Sequence, residues 1–420
     1  MAGIAFEGEI DSVTARQKEF IAGVLNKRRL KANKVRIETL GKAGDNYAAN
    51  VKKITAELEG GETFKMVAKI APTNEVLRAT MAADITFANE CLMYSKVLPK
   101  LVDLQRAAGL SKEELFPFPE CYGVLMEPPS EIILLEDLKD SNFEMLDRFT
   151  PLTNESVKQI IKKFAILHSL SFVLKKKEPD TFETYAEKLI DLSSMMFGNP
   201  DFQKFGVNVE NETISILDSD VYKKAVRGSL SQIWEHGIKI FKNQRNIRYS
   251  VITHGDGWTN NIMFRLKESI PVDAILIDYQ MSKVGSPVCD LQYMIFICTD
   301  YKTRHQHFYE WIDLYHSELD KSLANFGLKV NYVYPRDQLD ADLRRHSKFF
   351  FSSAILLCSV LIQKPENAAK MREAMENVAE AKDVAEALLH MTNLDSDSVQ
   401  LYKRKIEDLV DSYRELGYLE

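Results

Sequence analysis

The sequence predicts an α+β chain in two lobes, a small antiparallel sheet with helices followed by a larger, mainly helical part. Three observations carry this reading. A chain of 420 residues exceeds what one small core organises. Between Val35 and Leu135 the apolar runs are mostly short, strand-like and bounded by Gly, Pro and polar turns. Beyond Thr153 apolar residues recur at helical spacing through most of the chain.

Taken in order, residues 12–31 form a leading helix with Val13, Phe20, Val24 and Leu25 among charges, and Thr14 with Gln17 supplies a capping box. Val35 to Leu40 is strand-like, Gly41 to Asn46 is a turn, and Tyr47 to Leu58 resumes the extended run. Gly60-Gly61 then turns the chain into Phe64 to Ile70, completing a three-stranded meander. A turn bearing Gly41 and Gly44 can lay backbone N–H groups over phosphates, because glycine permits close approach. A plain hairpin turn remains the alternative. Lys69 points to the strand face opposite Phe64, Met66, Ala68 and Ile70, and shares its own face with Val67, a candidate lining for an adenine pocket.

After Pro72 a helix carries Phe87, Cys91, Tyr94 and Leu98 on one stripe, with Glu90 at its edge. An inward carboxylate needs a cationic partner, and Lys69 is the candidate, as in the pair that holds a kinase lysine on nucleotide phosphates. Cys121 to Met126 and Glu131 to Leu135 are two more strands, and Glu136-Asp137-Leu138 ends the β-rich part. Val157, Ile160, Ile161, Phe164 and Leu167 then mark a helix begun by Thr153 or Asn154, with His168 as a core histidine. Residues 180–248 are mainly helical, where Leu192, Met195, Met196 and Phe197 form either core or an apolar substrate wall. Leu401, Ile406, Leu409, Val410 and Tyr413 mark the last helix.

Composition narrows the function classes. With 45% hydrophobic and 27% charged residues the chain is an ordinary globular protein. Its net charge of −7 argues against nucleic acid or an anionic membrane as partner. Lys27-Arg28-Arg29 and Lys175-Lys176-Lys177 are short and isolated, and read as solvated helix ends. Five scattered cysteines, odd in number and without a Cys-x-x-Cys pair, point to reduced thiols in a cytoplasmic protein. The first residues lack the basic start and apolar core of a signal peptide. Phe349 to Ile362 is too short to span a bilayer and reads as a buried helix. Oligomeric state stays open.

The chemistry concentrates in Val251 to Asp290, a strand, a polar loop and a second strand. The loop holds Asp256 and, five residues on, Asn261; the run Ala274-Ile275-Leu276-Ile277 delivers Asp278 at its end. Any one of these alone is an ordinary turn residue. Together they supply what phosphoryl transfer from a nucleotide requires, a carboxylate to orient the attacking hydroxyl and hard oxygens for Mg²⁺. Asp256 suits the first role; Asn261 and Asp278 suit the second. His254 braces the loop.

The residues His254-Gly255-Asp256-x-x-x-x-Asn261, Ile277-Asp278-Tyr279-Gln280 and Gly285-Ser286-Pro287-x-x-Asp290-Leu291 resemble the aminoglycoside phosphotransferase and choline kinase superfamily. Gly44-Asp45-Asn46-Tyr47-Ala48, Phe87-x-x-Glu90-x-x-x-Tyr94, Leu134-Leu135-Glu136-Asp137-Leu138 and Trp258-x-Asn260-Asn261 resemble its insect ecdysteroid kinase-like branch. The resemblance implies a two-lobed protein-kinase-like fold, with residues 1–138 as the nucleotide-binding lobe and 139–420 as the catalytic and substrate lobe. It implies ATP and Mg²⁺ as cofactors, with Gly41, Gly44, Asn46, Lys69, Glu90 and the hinge residues Glu136 and Leu138 around the nucleotide. Asp290 would brace the catalytic loop. The acceptor would be an ecdysteroid or similar lipophilic alcohol; choline, aminoglycosides or a catalytically silent binding module are the alternatives. A protein kinase fits poorly, since Gly255 stands where Arg is expected and Tyr279-Gln280 follows Asp278 in place of Phe-Gly.

Overall fold

In the computed structural model, residues 4–41, 50–193, 199–242, 244, 247–364, 366 and 394–419 are described. The first lobe is built on a six-stranded sheet of β1 (Ala5–Gly8), β2 (Ala32–Thr39), β3 (Asn50–Leu58), β4 (Thr63–Ile70), β5 (Cys121–Leu125) and β6 (Ile132–Glu136), in the order β1-β2-β3-β4-β6-β5. The expected meander is β2 to β4, antiparallel, with Val35 opposite Ala56 and Ile54 opposite Met66. The edge strand β1 is an addition to the sequence reading. It is four residues long, mostly exposed, and pairs in parallel with β2, so it shows no apolar alternation.

One face of this sheet is apolar because the period-2 residues Val35, Ile37, Ile54, Met66, Ala68 and Leu134 all point to it. It is covered by α1 (Ala15–Lys27) through Ile21, Val24 and Leu25. The Thr14 hydroxyl accepts the Gln17 N–H and the Gln17 side chain accepts the Thr14 N–H, the reciprocal cap expected from sequence.

The opposite face turns Ile133 and Leu135 toward α3 (Ala83–Leu92) and α4 (Leu98–Ala107), which follow the short helix α2 (Glu75–Thr80) and are joined by a π turn, Met93–Val97. The expected stripe is present: Phe87, Tyr94 and Leu98 are buried, Cys91 packs half-buried against the same core, and Glu90 is buried and faces Lys69. The lysine it faces makes a buried carboxylate tolerable there.

The second lobe is mainly helical. Its long central helix α5 (Asn154–Lys177) starts where the Thr153 hydroxyl accepts the Ser156 N–H. It buries Val157, Ile160, Ile161, Phe164 and Leu167 and packs against the helix Tyr301–Ala324. A sheet of β7 (Phe143–Met145), β9 (Ile262–Lys267) and β10 (Ile270–Leu276) and a pair of β8 (Val251–Thr253) with β11 (Lys283–Gly285) carry the polar loop. The Phe349 to Ile362 run lies in the buried part of helix Arg336–Leu361. Helix Ser396–Glu415 closes the lobe, held by the buried Arg304, which donates to Ser412 Oγ at 2.8 Å and to the Asp408 carbonyl at 3.0 Å. Leu192 is buried, whereas Met195, Met196 and Phe197 lie outside the described residues. Among the described residues, no helix is long and apolar enough to cross a membrane.

Candidate active site

β8 runs into the polar loop, and a sharp turn at Gly255 (φ +83°) redirects the chain beneath Met281. The loop is tied down from helix Val288–Cys298. Asp290, 1% exposed, accepts the N–H groups of His254 and Gly255, each at 2.8 Å, and is itself held by His168 Nε2 at 3.0 Å. His254 donates from Nε2 to the Ile277 carbonyl at 2.9 Å and accepts the Asp256 N–H on Nδ1 at 3.2 Å. Those two partners select one tautomer. Burial pushes the His254 imidazole below its ordinary value, in keeping with a neutral brace.

The antiparallel register sets Ile262 opposite Leu276. Asn261 and the Ile277-Asp278 pair, one residue beyond each strand end, therefore arrive side by side, and the Ile277 N–H donates to the Asn261 carbonyl at 2.9 Å. Asn261 Nδ2 donates to both the carbonyl and Oδ2 of Asp256, at 2.9 Å each. Asp278 adopts a left-handed backbone (φ +66°), and its N–H donates to the Tyr94 hydroxyl at 3.3 Å. From the first lobe, Lys69 Nζ lies 2.5 Å from Glu90 Oε2 and 2.8 Å from Asp278 Oδ1.

Gly41, Lys69, Glu136, Leu138, Asn261 and Asp278 thus line a single cleft, with Val67 beside Lys69. Glu90 stands behind Lys69, and Asp256 joins the cleft through Asn261. Gly44 and Asn46 lie outside the described residues. Two tyrosines complete the geometry and escaped the sequence reading of the site. Tyr94 was assigned to an apolar stripe, and its hydroxyl meets Asp278. Tyr293 donates to Asp256 Oδ1 at 2.5 Å; its position one helical turn after Asp290 was the available signal.

Charge is concentrated here. Burial, followed by the neighbouring Asp278 charge, lifts the Asp256 carboxyl to about 7, while Tyr293 and Asn261 pull the other way. Burial likewise lifts Glu90 to about 7 against the pull of Lys69. Burial also opposes the Lys69 charge, yet Asp278 and Glu90 outweigh it and hold the ammonium above the usual lysine range. One ammonium faces three carboxyl groups, so the fully ionised cluster carries two excess negative charges. A divalent cation would balance them.

A two-lobed kinase-like fold, with a cleft that joins a lysine–glutamate pair to an Asp/Asn loop, defines a phosphotransferase with an alcohol group as acceptor. The model of the ecdysteroid kinase-like family matches residues 43–328, more than half of the chain, and the chain belongs to that family. It is a small-molecule kinase. No match was found among curated proteins. Among solved structures, the chain is similar to an ethanolamine kinase from Plasmodium vivax, at 12% identity over 92% of this chain and 91% of that one, with a TM-score of 0.40. It is also similar to wild-type aminoglycoside 2'-phosphotransferase-IIIa in its GDP complex, at 11% identity over 93% and 98% of the two chains, with a TM-score of 0.41.

Proposed function

We propose that the chain transfers the γ-phosphoryl group of ATP to a hydroxyl of an ecdysteroid or similar lipophilic alcohol in the cytoplasm. The observation that carries this reading is one connected cluster: Lys69, Asn261 and Asp278 line a single cleft, Glu90 pairs with Lys69 behind it, and Asp256 is bonded to Asn261. The family match supports the acceptor class. Residues 1–138 and 139–420 act as the two lobes, with the nucleotide between them. The base lies against the backbone at Glu136 and Leu138, and the phosphates lie between Gly41 and Lys69.

The donor set fits Mg²⁺. Asn261 spends its side-chain Nδ2 on Asp256, which leaves its side-chain oxygen Oδ1 as the metal donor, and Asp278 presents a carboxylate to the same cleft. Among the described residues no three His, Cys, Asp or Glu form a metal cluster. That suits a cation held by one or two protein oxygens together with phosphates and water. When bound, Mg²⁺ would neutralise charge on the phosphates.

Asp256 orients the acceptor hydroxyl and takes its proton as the oxygen–phosphorus bond forms and the bond from γ-phosphorus to the β,γ-bridging oxygen breaks, releasing ADP. A carboxyl group at about 7 is poised to take up that proton near neutral pH. Lys69, oriented by Glu90, contacts the phosphates and stabilises charge developing on them. The test is transfer of labelled γ-phosphate, with Mg²⁺, across ecdysteroids, plant steroids, phenols, choline and an aminoglycoside. Label on a lipophilic alcohol, lost in Asp256→Asn and on Mg²⁺ chelation, supports the reading. Label on choline or the aminoglycoside alone refutes the acceptor class, and normal turnover in Asp256→Asn refutes the role of Asp256.

A further inference from the structure

Asp256 is gripped at both carboxyl oxygens. Asn261 Nδ2 donates to Oδ2 at 2.9 Å, and the Tyr293 phenol donates to Oδ1 at 2.5 Å. Nothing in the motif that marks the loop accounts for the second contact. We propose that Tyr293 is a positioning residue for the acceptor base, fixing the plane of the Asp256 carboxyl group so that Oδ1 meets the incoming alcohol. This rests on the reading of Asp256 as the base.

Three features support it. A carboxyl group held at one oxygen can still turn about its Cβ–Cγ bond, whereas donors on both oxygens fix its plane. Asn261 alone is therefore insufficient. A carboxylate oxygen also accepts through two lone pairs, so a phenol on one leaves the other for the acceptor hydroxyl. Finally, Tyr293 stands on a fixed platform. Asp290, three residues earlier on the same helix face, grips the His254 and Gly255 N–H groups at 2.8 Å. One helical turn thus holds both the backbone of the loop and the carboxyl group it presents, and the catalytic angle is set by helix geometry.

The experiment uses the full chain and Tyr293→Phe, which keeps the ring and removes only the donor. Turnover of MgATP is measured with an ecdysteroid and with water as acceptor, beside nucleotide affinity from a fluorescent ATP analogue and a melting curve. We expect kcat to fall about ten- to hundredfold through lost alignment of the base, with nucleotide affinity and melting temperature at wild-type values. Wild-type kcat in Tyr293→Phe, with turnover lost in Asp256→Asn, overturns the inference alone. A loss shared equally by kcat, nucleotide affinity and melting temperature also overturns it, by showing a purely structural role. Absence of Asp256-dependent turnover in the wild-type chain overturns the reading of the base, and this inference with it.

Discussion

Asn89 grips Ile190 at two points, donating from Nδ2 to its carbonyl at 2.9 Å and accepting its N–H on Oδ1 at 3.0 Å. The same Nδ2 reaches the Gln280 carbonyl at 3.2 Å. Asn89 is fully buried and adjoins Glu90, so the helix that presents Glu90 to Lys69 is bolted to the second lobe. The bolt continues through Asp191, which holds Lys283 Nζ at 2.8 Å on β11, the partner strand of β8.

Asn89→Leu keeps the branched shape of the side chain but leaves two carbonyls and one N–H without this partner. The expected loss is about 2–4 kcal/mol of stability, from buried groups left unsatisfied, read by urea denaturation. Nucleotide affinity is expected to fall about tenfold as Glu90 loosens its hold on Lys69. Destabilisation with unchanged affinity would show that the clamp serves the fold and not the lysine.

Asp256 makes stability and activity pull in opposite directions. Its folded value of about 7 lies above the ordinary 3.8. The folded state therefore binds the proton more tightly, and stability falls as pH rises from 3.8 through 7. Asp256→Asn removes the buried charge. It is expected to raise stability at pH 8 by up to about 4 kcal/mol, the upper bound from the shift, with the gain vanishing below pH 4. Thermal melts of both chains across that range check the sign. In the same window wild-type turnover is expected to rise with pH to a plateau above 7, because Asp256 in its proposed role as base acts ionised.

The sequence made the local rules legible and left the long-range ones hidden. The Thr14 and Gln17 cap, the β2–β4 meander and the side of β4 on which Lys69 lies follow from neighbours in the chain, and all are present. Asp256, Asn261 and Asp278 could be singled out because two strand ends bring them together. Asn89 could not, since it is an unremarkable helix residue until its helix is docked, and Tyr293 offered only its place one helical turn after Asp290. Glu90 was legible for another reason: an inward carboxylate beside an apolar stripe needs a cation, and Lys69 supplies it at 2.5 Å.

Asp290 carries the loop through charge. His254 N–H, Gly255 N–H and His168 all donate to it in a buried setting. Burial pushes its carboxyl up, but His168 and the other donors outweigh that and hold it below the ordinary 3.8. The stability it contributes is complete above pH 4 and is lost as pH falls through the lowered value. Asp290→Ala strands three buried donors, and a loss of about 3–5 kcal/mol is expected at pH 7. The difference from wild type should narrow as pH falls through that lowered value and wild-type Asp290 itself takes up a proton. Denaturation at pH 7 and along a descending pH series tests both the size and the direction.

Gly255→Ala probes the loop by shape alone. The backbone at φ +83° is one that alanine rarely adopts, and an added Cβ would stand 2.2 Å from the Met281 carbonyl oxygen. That oxygen belongs to the turn following Asp278, so relief of the clash must displace either the loop of Asp256 or the chain beside Asp278. Either shift separates groups whose spacing the reaction depends on, and an error of about 1 Å is enough to cost roughly a hundredfold in rate. The expected result is a folded chain, destabilised by about 2–3 kcal/mol, with turnover at least a hundredfold down. Near-normal turnover in this variant would mean that the loop tolerates displacement and that its geometry is not the source of the rate.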